Sequence, residues 1–162
     1  MKTREIVEAY KLLKGAKLTK MEDNDKFNVI KAMRELRPIA EKYDADFKEA
    51  QEVLKDDDFE SVSKKIGEFN AAPEAEKANV MTKEELIKVN AYVQHFNESA
   101  EKAKKDLEEE EHDLKFDKLA EPAFNKLLAS NDLTVEQIMV LDEVLVQEDP
   151  PIRTGGGTGT EK

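Results

Sequence analysis

Two long apolar stripes on otherwise charged segments constrain this chain more than any other feature. Leu86, Val89, Val93, Phe96, Ala100, Ala103 and Leu107 recur at alternating intervals of three and four residues. Phe27, Ile30, Met33, Leu36, Ala40, Tyr43, Phe47, Ala50 and Leu54 follow nearly the same rhythm. In an α-helix such intervals bring the apolar side chains to one face, and each face needs a partner to shield it from water. Two helices joined by a connection can shield each other. The spacing therefore predicts an all-α protein built on a long antiparallel, coiled-coil-like helical hairpin, with short terminal helices packed at one end. The competing layout is a compact bundle in which both stripes are ordinary core faces.

Composition points the same way. The chain is 39% hydrophobic and 39% charged. So many charges leave too little apolar surface for a thick core, and narrow helical seams use what there is. Six Gly and five Pro are few for 162 residues, which favours a small number of long elements. The length suits one domain, read here as residues 1–147, with 148–162 as a disordered tail. The tail sequence EDPPIRTGGGTGTEK offers almost nothing to bury. There is no Cys, which excludes disulfides and thiolate metal sites. No apolar run approaches the ~20 residues of a membrane span, and MKTREIVEAY carries no signal-peptide core. A cytoplasmic protein with no membrane contact is expected.

Local signals place the elements. Thr3–Lys14 reads as a helix with Ile6, Tyr10 and Leu13 on one face, stopping near Gly15. A long helix is expected over about Asp25–Lys55, continuing through Pro38 with a kink; a break there is the alternative. One of Asp56, Asp57 and Asp58 can cap a short helix carrying Phe59, Val62, Ile66 and Phe69. Asn70–Asn79 reads as a connection. Thr82 with Glu85, and Thr134 with Gln137, have capping-box spacing. They open a second long helix, Lys83 to about Glu111, and a last one, Val135–Val146. A further short helix is expected over Pro122–Ala129. Between them, residues 113–117 alternate polar and apolar, which fits a short strand or an extended crossing.

The net charge is −11, unevenly spread: residues 1–55 carry +2 and the remainder −13. That balance disfavours direct nucleic-acid binding. Glu109 and His112 have an E-x-x-H spacing, but a di-iron bundle needs a second copy and two more Glu, and His95 has Tyr92 three residues before it. His112 is read as a helix C-terminal residue favoured by the dipole. Asp56–Asp58 and Asp23–Asp25 lack the EF-hand pattern. No nucleophile elbow surrounds Ser61, Ser63, Ser99 or Ser130, and Gly155–Gly157 has no strand before it to make a phosphate loop. No catalytic residue, metal or cofactor is assigned. Lys11, Lys14, Lys17 and Lys20 form a basic strip that is a weak candidate partner contact. Phe59, Phe69 and Phe96 are read as core.

The order of parts resembles a group of small helical proteins encoded by tailed phages and prophages. The residues that carry the likeness are Ile6–Leu13, the anchor Leu18, the helix start KFNVIK (Lys26–Lys31), LEEEEHDLKFDKL (Leu107–Leu119) and LTVEQIMVL (Leu133–Leu141). The insert Asp56–Met81 and the tail depart from that layout. The resemblance implies a helical fold and a phage or prophage origin, and no activity. The expected role is a non-enzymatic interaction or assembly accessory protein acting on a protein partner, as monomer or homodimer. The alternative is an acidic nucleic-acid mimic that occupies a basic DNA-binding protein through the run Asp106–Asp113.

Overall fold

The computed structural model describes residues 1–148. The elements in order are α1 (Thr3–Lys14), α2 (Asp23–Leu54), α3 (Phe59–Ala71), a 3-10 turn (Glu74–Glu76), α4 (Lys77–Val80), α5 (Lys83–Glu108), α6 (Glu121–Ala129) and α7 (Val135–Leu145). The fold is all-α, with no strand among the described residues. The expected tail 148–162, including Gly155–Gly157, lies outside the described residues apart from Glu148.

Both expected capping boxes form. Glu85 N–H donates to Thr82 Oγ1 at 3.2 Å, and Thr82 N–H donates to the Glu85 carboxylate at 3.2 Å. Gln137 N–H donates to Thr134 Oγ1 at 3.3 Å, and Thr134 N–H to Gln137 Oε1 at 3.0 Å. Each box satisfies two N–H groups that a helix start leaves without intrahelical partners. Helix α2 runs without a break through Pro38. Pro38 is on the exposed side, where water can take the Arg34 carbonyl that the missing N–H leaves free. The α3 cap is made differently from expectation. Asp58 is the N-cap residue but its side chain accepts no capping bond. Asp56 organises this turn instead, accepting from Asp58 N–H at 3.1 Å and from Tyr92 O–H at 2.6 Å.

Helices α2 and α5 pack antiparallel: Tyr43 meets Glu108, while Asp56, just past α2, meets Tyr92 in mid-α5. The hairpin is staggered. Residues 23–36 of α2 lie beyond the end of α5 and are covered by α1, α6 and α7. Their shared core comprises Ile6, Ala9 and Leu13 of α1, Val29, Ala32 and Leu36 of α2, Phe124 and Leu127 of α6, and Leu141, Val144 and Leu145 of α7. We call this end the base. At the other end α5 runs past α2, and Phe59 at the start of α3 packs on its Phe96. This distal arm buries little beyond Met81 and Val89.

The stagger corrects the expected stripe on α2. Phe27 and Ile30 are 48% and 40% exposed, and the buried row is Val29, Ala32, Leu36, Ala40 and Tyr43. The two rows merge only at Leu36. Phe59, Phe69 and Phe96, expected as core, are half-buried; Phe59 and Phe96 pack on each other with ring centroids 5.3 Å apart. The stretch 113–117 is an extended crossing without a strand, set between isolated bridges Lys2–Glu111 and Leu119–Val146.

Candidate functional site

The basic strip does not form one continuous face. Lys11 and Lys14 sit on the last turn of α1, while Lys17 and Lys20 lie in the loop before α2; all four are exposed. The loop is locked by Asn131, whose side chain accepts from Lys17 N–H and donates to Lys17 C=O, each at 2.8 Å. Lys20 Nζ donates to Ala129 C=O at 3.2 Å. It thereby covers a carbonyl that the end of α6 leaves open. Of the four, Lys20 has a structural use. The neighbouring pair Lys126–Glu22, at 2.8 Å, holds the Glu22 carboxyl below its usual range, chiefly through the hydrogen bond from Lys126. Asn131, which the sequence reading passed over, carries no spacing signal because its partner is 114 residues away.

A second cluster forms where the first residues meet the exit of α5. Met1 N and C=O bond His112 C=O and N–H at 3.1 and 2.8 Å. Thr3 N–H and Oγ1–H both donate to Glu110 C=O, at 2.9 and 3.1 Å. His112 Nε2 lies 2.8 Å from Thr3 Oγ1 and shares a hydrogen bond with it. Thr3 is buried and fully bonded. Glu109 pairs with Lys2 and, at 3.4 Å, with Arg4, and the Lys2 hydrogen bond pulls its carboxyl below the usual range.

This arrangement corrects the helical reading of His112. Helix α5 ends at Glu108, and His112 belongs to the pairing segment beyond it. Glu109 and His112 therefore share no helical face. Among the described residues, no group of three or more His or acidic side chains is placed to hold a metal ion.

Beside this cluster lies a cavity of about 220 Å³ whose lining includes Pro38, Ile39, Tyr43 and Leu107 together with Lys42, Asp46 and His112. Lys42 and Asp46 pair with each other along α2. Tyr43 donates to the Glu108 carboxylate at 3.2 Å; burial first, then the Glu108 charge, pushes its hydroxyl up to about 12. The polar groups here are occupied with one another. The Tyr43–Glu108 bond ties α2 to the end of α5 beside α1. Tyr92 is also pushed up to about 12, mainly by its hydrogen bond to Asp56. Neither tyrosine carries a sequence signal for its partner, since both lie within apolar-stripe spacing.

The distal arm presents a half-covered apolar surface. Phe59, Val62, Ile66 and Phe69 of α3 and Leu86, Val93 and Phe96 of α5 are all half-buried, and Ile87 is exposed. Charges around it are mixed: α5 holds six acids and five lysines. No helix among the described residues is long and apolar enough to cross a membrane. No protein-family model, curated protein or solved structure matches the chain.

Proposed function

We propose that the protein is a non-enzymatic helical interaction or assembly accessory protein of the cytoplasm, which offers its distal arm to a protein partner. One observation carries this reading. The arm leaves seven apolar side chains of α3 and α5 only partly buried, and α3 has no fully buried residue at all. A row of half-covered aromatics and aliphatics on a helix pair is the geometry that a groove or an additional helix completes. The phage or prophage origin rests on the layout resemblance and belongs to the same proposal.

The acidic-mimic reading has less support. In the run Asp106–Asp113, Glu109 is bonded to Lys2 and Arg4, and Glu108 to Tyr43 with Lys104 at 3.8 Å. Helix α2 carries eight acids beside six basic residues. A mimic of a phosphate backbone needs an unbroken row of free carboxylates.

Photo-crosslinking in producer cells tests the proposal. A photoreactive residue at Ile87 is expected to give a discrete adduct with another protein, while one at Lys14 gives none. Adducts at Lys14 alone would move the contact to the lysine strip and overturn the arm reading. So would the absence of adducts at both positions.

A further inference from the structure

Among the described residues, the large apolar side chains with the greatest exposure are Phe27, Ile30, Val53, Ile87, Val135 and Met139. Four of the six form two pairs at helical spacing, away from the distal arm. Phe27 and Ile30 lie on the outer side of α2. Val135 and Met139, 75% and 66% exposed, lie on the outer side of α7. Each helix buries its opposite side in the base core.

The two faces carry opposite charge. The stretch 26–37 holds Lys26, Lys31, Arg34 and Arg37 and the acid Glu35; Lys26 pairs with Asp23 at 3.5 Å and Arg37 with Glu41 at 2.7 Å, which leaves Lys31 and Arg34 as the cations of this face with no ion pair among the described residues. Beside it the crossing adds Phe116 and Lys115, which with Lys31, Arg34, Glu35 and Asp117 line a shallow groove. Lys31 Nζ lies 5.0 Å from the Phe27 ring centroid. Residues 127–148 hold five acids and no Lys or Arg. Of these, Glu136, Asp142 and Glu143 flank Val135 and Met139 and are exposed. Two lysines reach this stretch and both are turned to backbone carbonyls, Lys118 to Glu143 and Val144 at 3.3 and 2.7 Å and Lys20 to Ala129 at 3.2 Å.

We infer that the basic–apolar face of α2 in one copy docks on the acidic–apolar face of α7 in a second copy of this chain. Two copies at net charge −11 repel each other over most orientations. Lys31 and Arg34 on the α2 face attract the acids of α7, and Phe27, Ile30, Val135 and Met139 supply the apolar area beside them. Because the two faces differ, the contact is heterologous unless a two-fold axis makes it twice. The inference goes beyond the proposed partner on the arm and needs no second protein, so the two fail independently.

The test uses the full chain and sedimentation velocity from micromolar to about 1 mM protein. Wild type is expected to gain mass with concentration in low salt and to lose that gain on screening with roughly 0.5 M salt. The variants K31E/R34E and E136K/E143K are each expected to stay monomeric alone. Mixed in equal amounts they are expected to associate again, because each swapped face then meets its complement. All four side chains are at the surface, and an unchanged helical circular-dichroism signal confirms folding. A wild type that stays monomeric over the whole range overturns the inference. Association unchanged in both variants, or a mixture that remains monomeric, overturns it equally.

Discussion

The base and the distal arm are made of the same material and end up in different physical states. At the base, α1 is held against both α2 and α7, and side chains from four helices converge on one core in which Ile6, Leu36, Leu127, Leu141 and Val144 lose essentially all access to water. In the arm, α3 carries an apolar face as regular as any in the chain, yet none of its residues is buried. The difference lies in the number of partners. A helix that has neighbours on two sides buries its stripe; a helix laid along one other helix leaves the edges of the stripe wet. Small residues sharpen this at the base, where Ala9, Ala32 and Ala40 allow α1 and α2 to approach closely. Local stability should follow the same division, since regions with few buried apolar contacts open first.

The largest effect that would break this comparison is a core truncation at the base. Leu36→Ala is expected to cost about 2–5 kcal/mol in denaturant unfolding. A cost below about 1 kcal/mol would show that the base is not where the fold is held. Phe96→Ala in the arm is expected to cost roughly 1–2 kcal/mol, because only part of the ring is removed from water. Native-state hydrogen exchange should then report faster exchange over residues 59–96 with α1, α6 and α7 unaffected. Equal acceleration at the base would make the two regions one cooperative unit.

The two capping boxes give a matched pair. Thr82→Ala and Thr134→Ala each remove the same chemistry, worth about 1 kcal/mol. Loss of Thr134 should appear in global unfolding, and loss of Thr82 chiefly as local opening of the arm. The smallest effect is on the alkaline side. Tyr43 and Tyr92 are both raised from 10.0 to about 12 in the folded chain. The unfolded chain therefore ionises first, and stability present below pH 10 should fall as pH rises towards about 12. Tyr43→Phe, at the junction with the base, should remove more of this slope than Tyr92→Phe in the exposed arm. Equal slopes, measured by chemical unfolding at stepped pH, would remove the distinction between the two sites.

Much of the helical layout can be read from local chemistry. The boxes at Thr82 and Thr134 are visible because both partners lie within four residues of each other. The stretch Asn70–Asn79 is less legible; the structure makes a 3-10 turn and a four-residue helix there, which are too short to show periodicity. Most obscure is the inward row at the start of α2. Phe27, Val29, Ile30, Ala32 and Met33 place apolar groups on two sides of one helix, and the longest row by eye begins on Phe27 and Ile30, which are left exposed, before it joins the buried row at Leu36. The candidate surfaces inherit the same ambiguity, since Phe27 and Ile30 become a site only once α1 has taken the other side. The clasp of Thr3, Glu110 and His112 joins residues about 110 positions apart, and no local pattern encodes it.

By itself the sequence determined that this chain is helical, where most helices begin and that two of them are long. Those properties follow from hydrogen bonds and side-chain spacings within a few residues. The tertiary structure decided how far the hairpin is staggered, which face of α2 turns inward and which apolar side chains stay in water. Those depend on competition among distant helices for the same apolar surface, and the winner is set by three-dimensional fit.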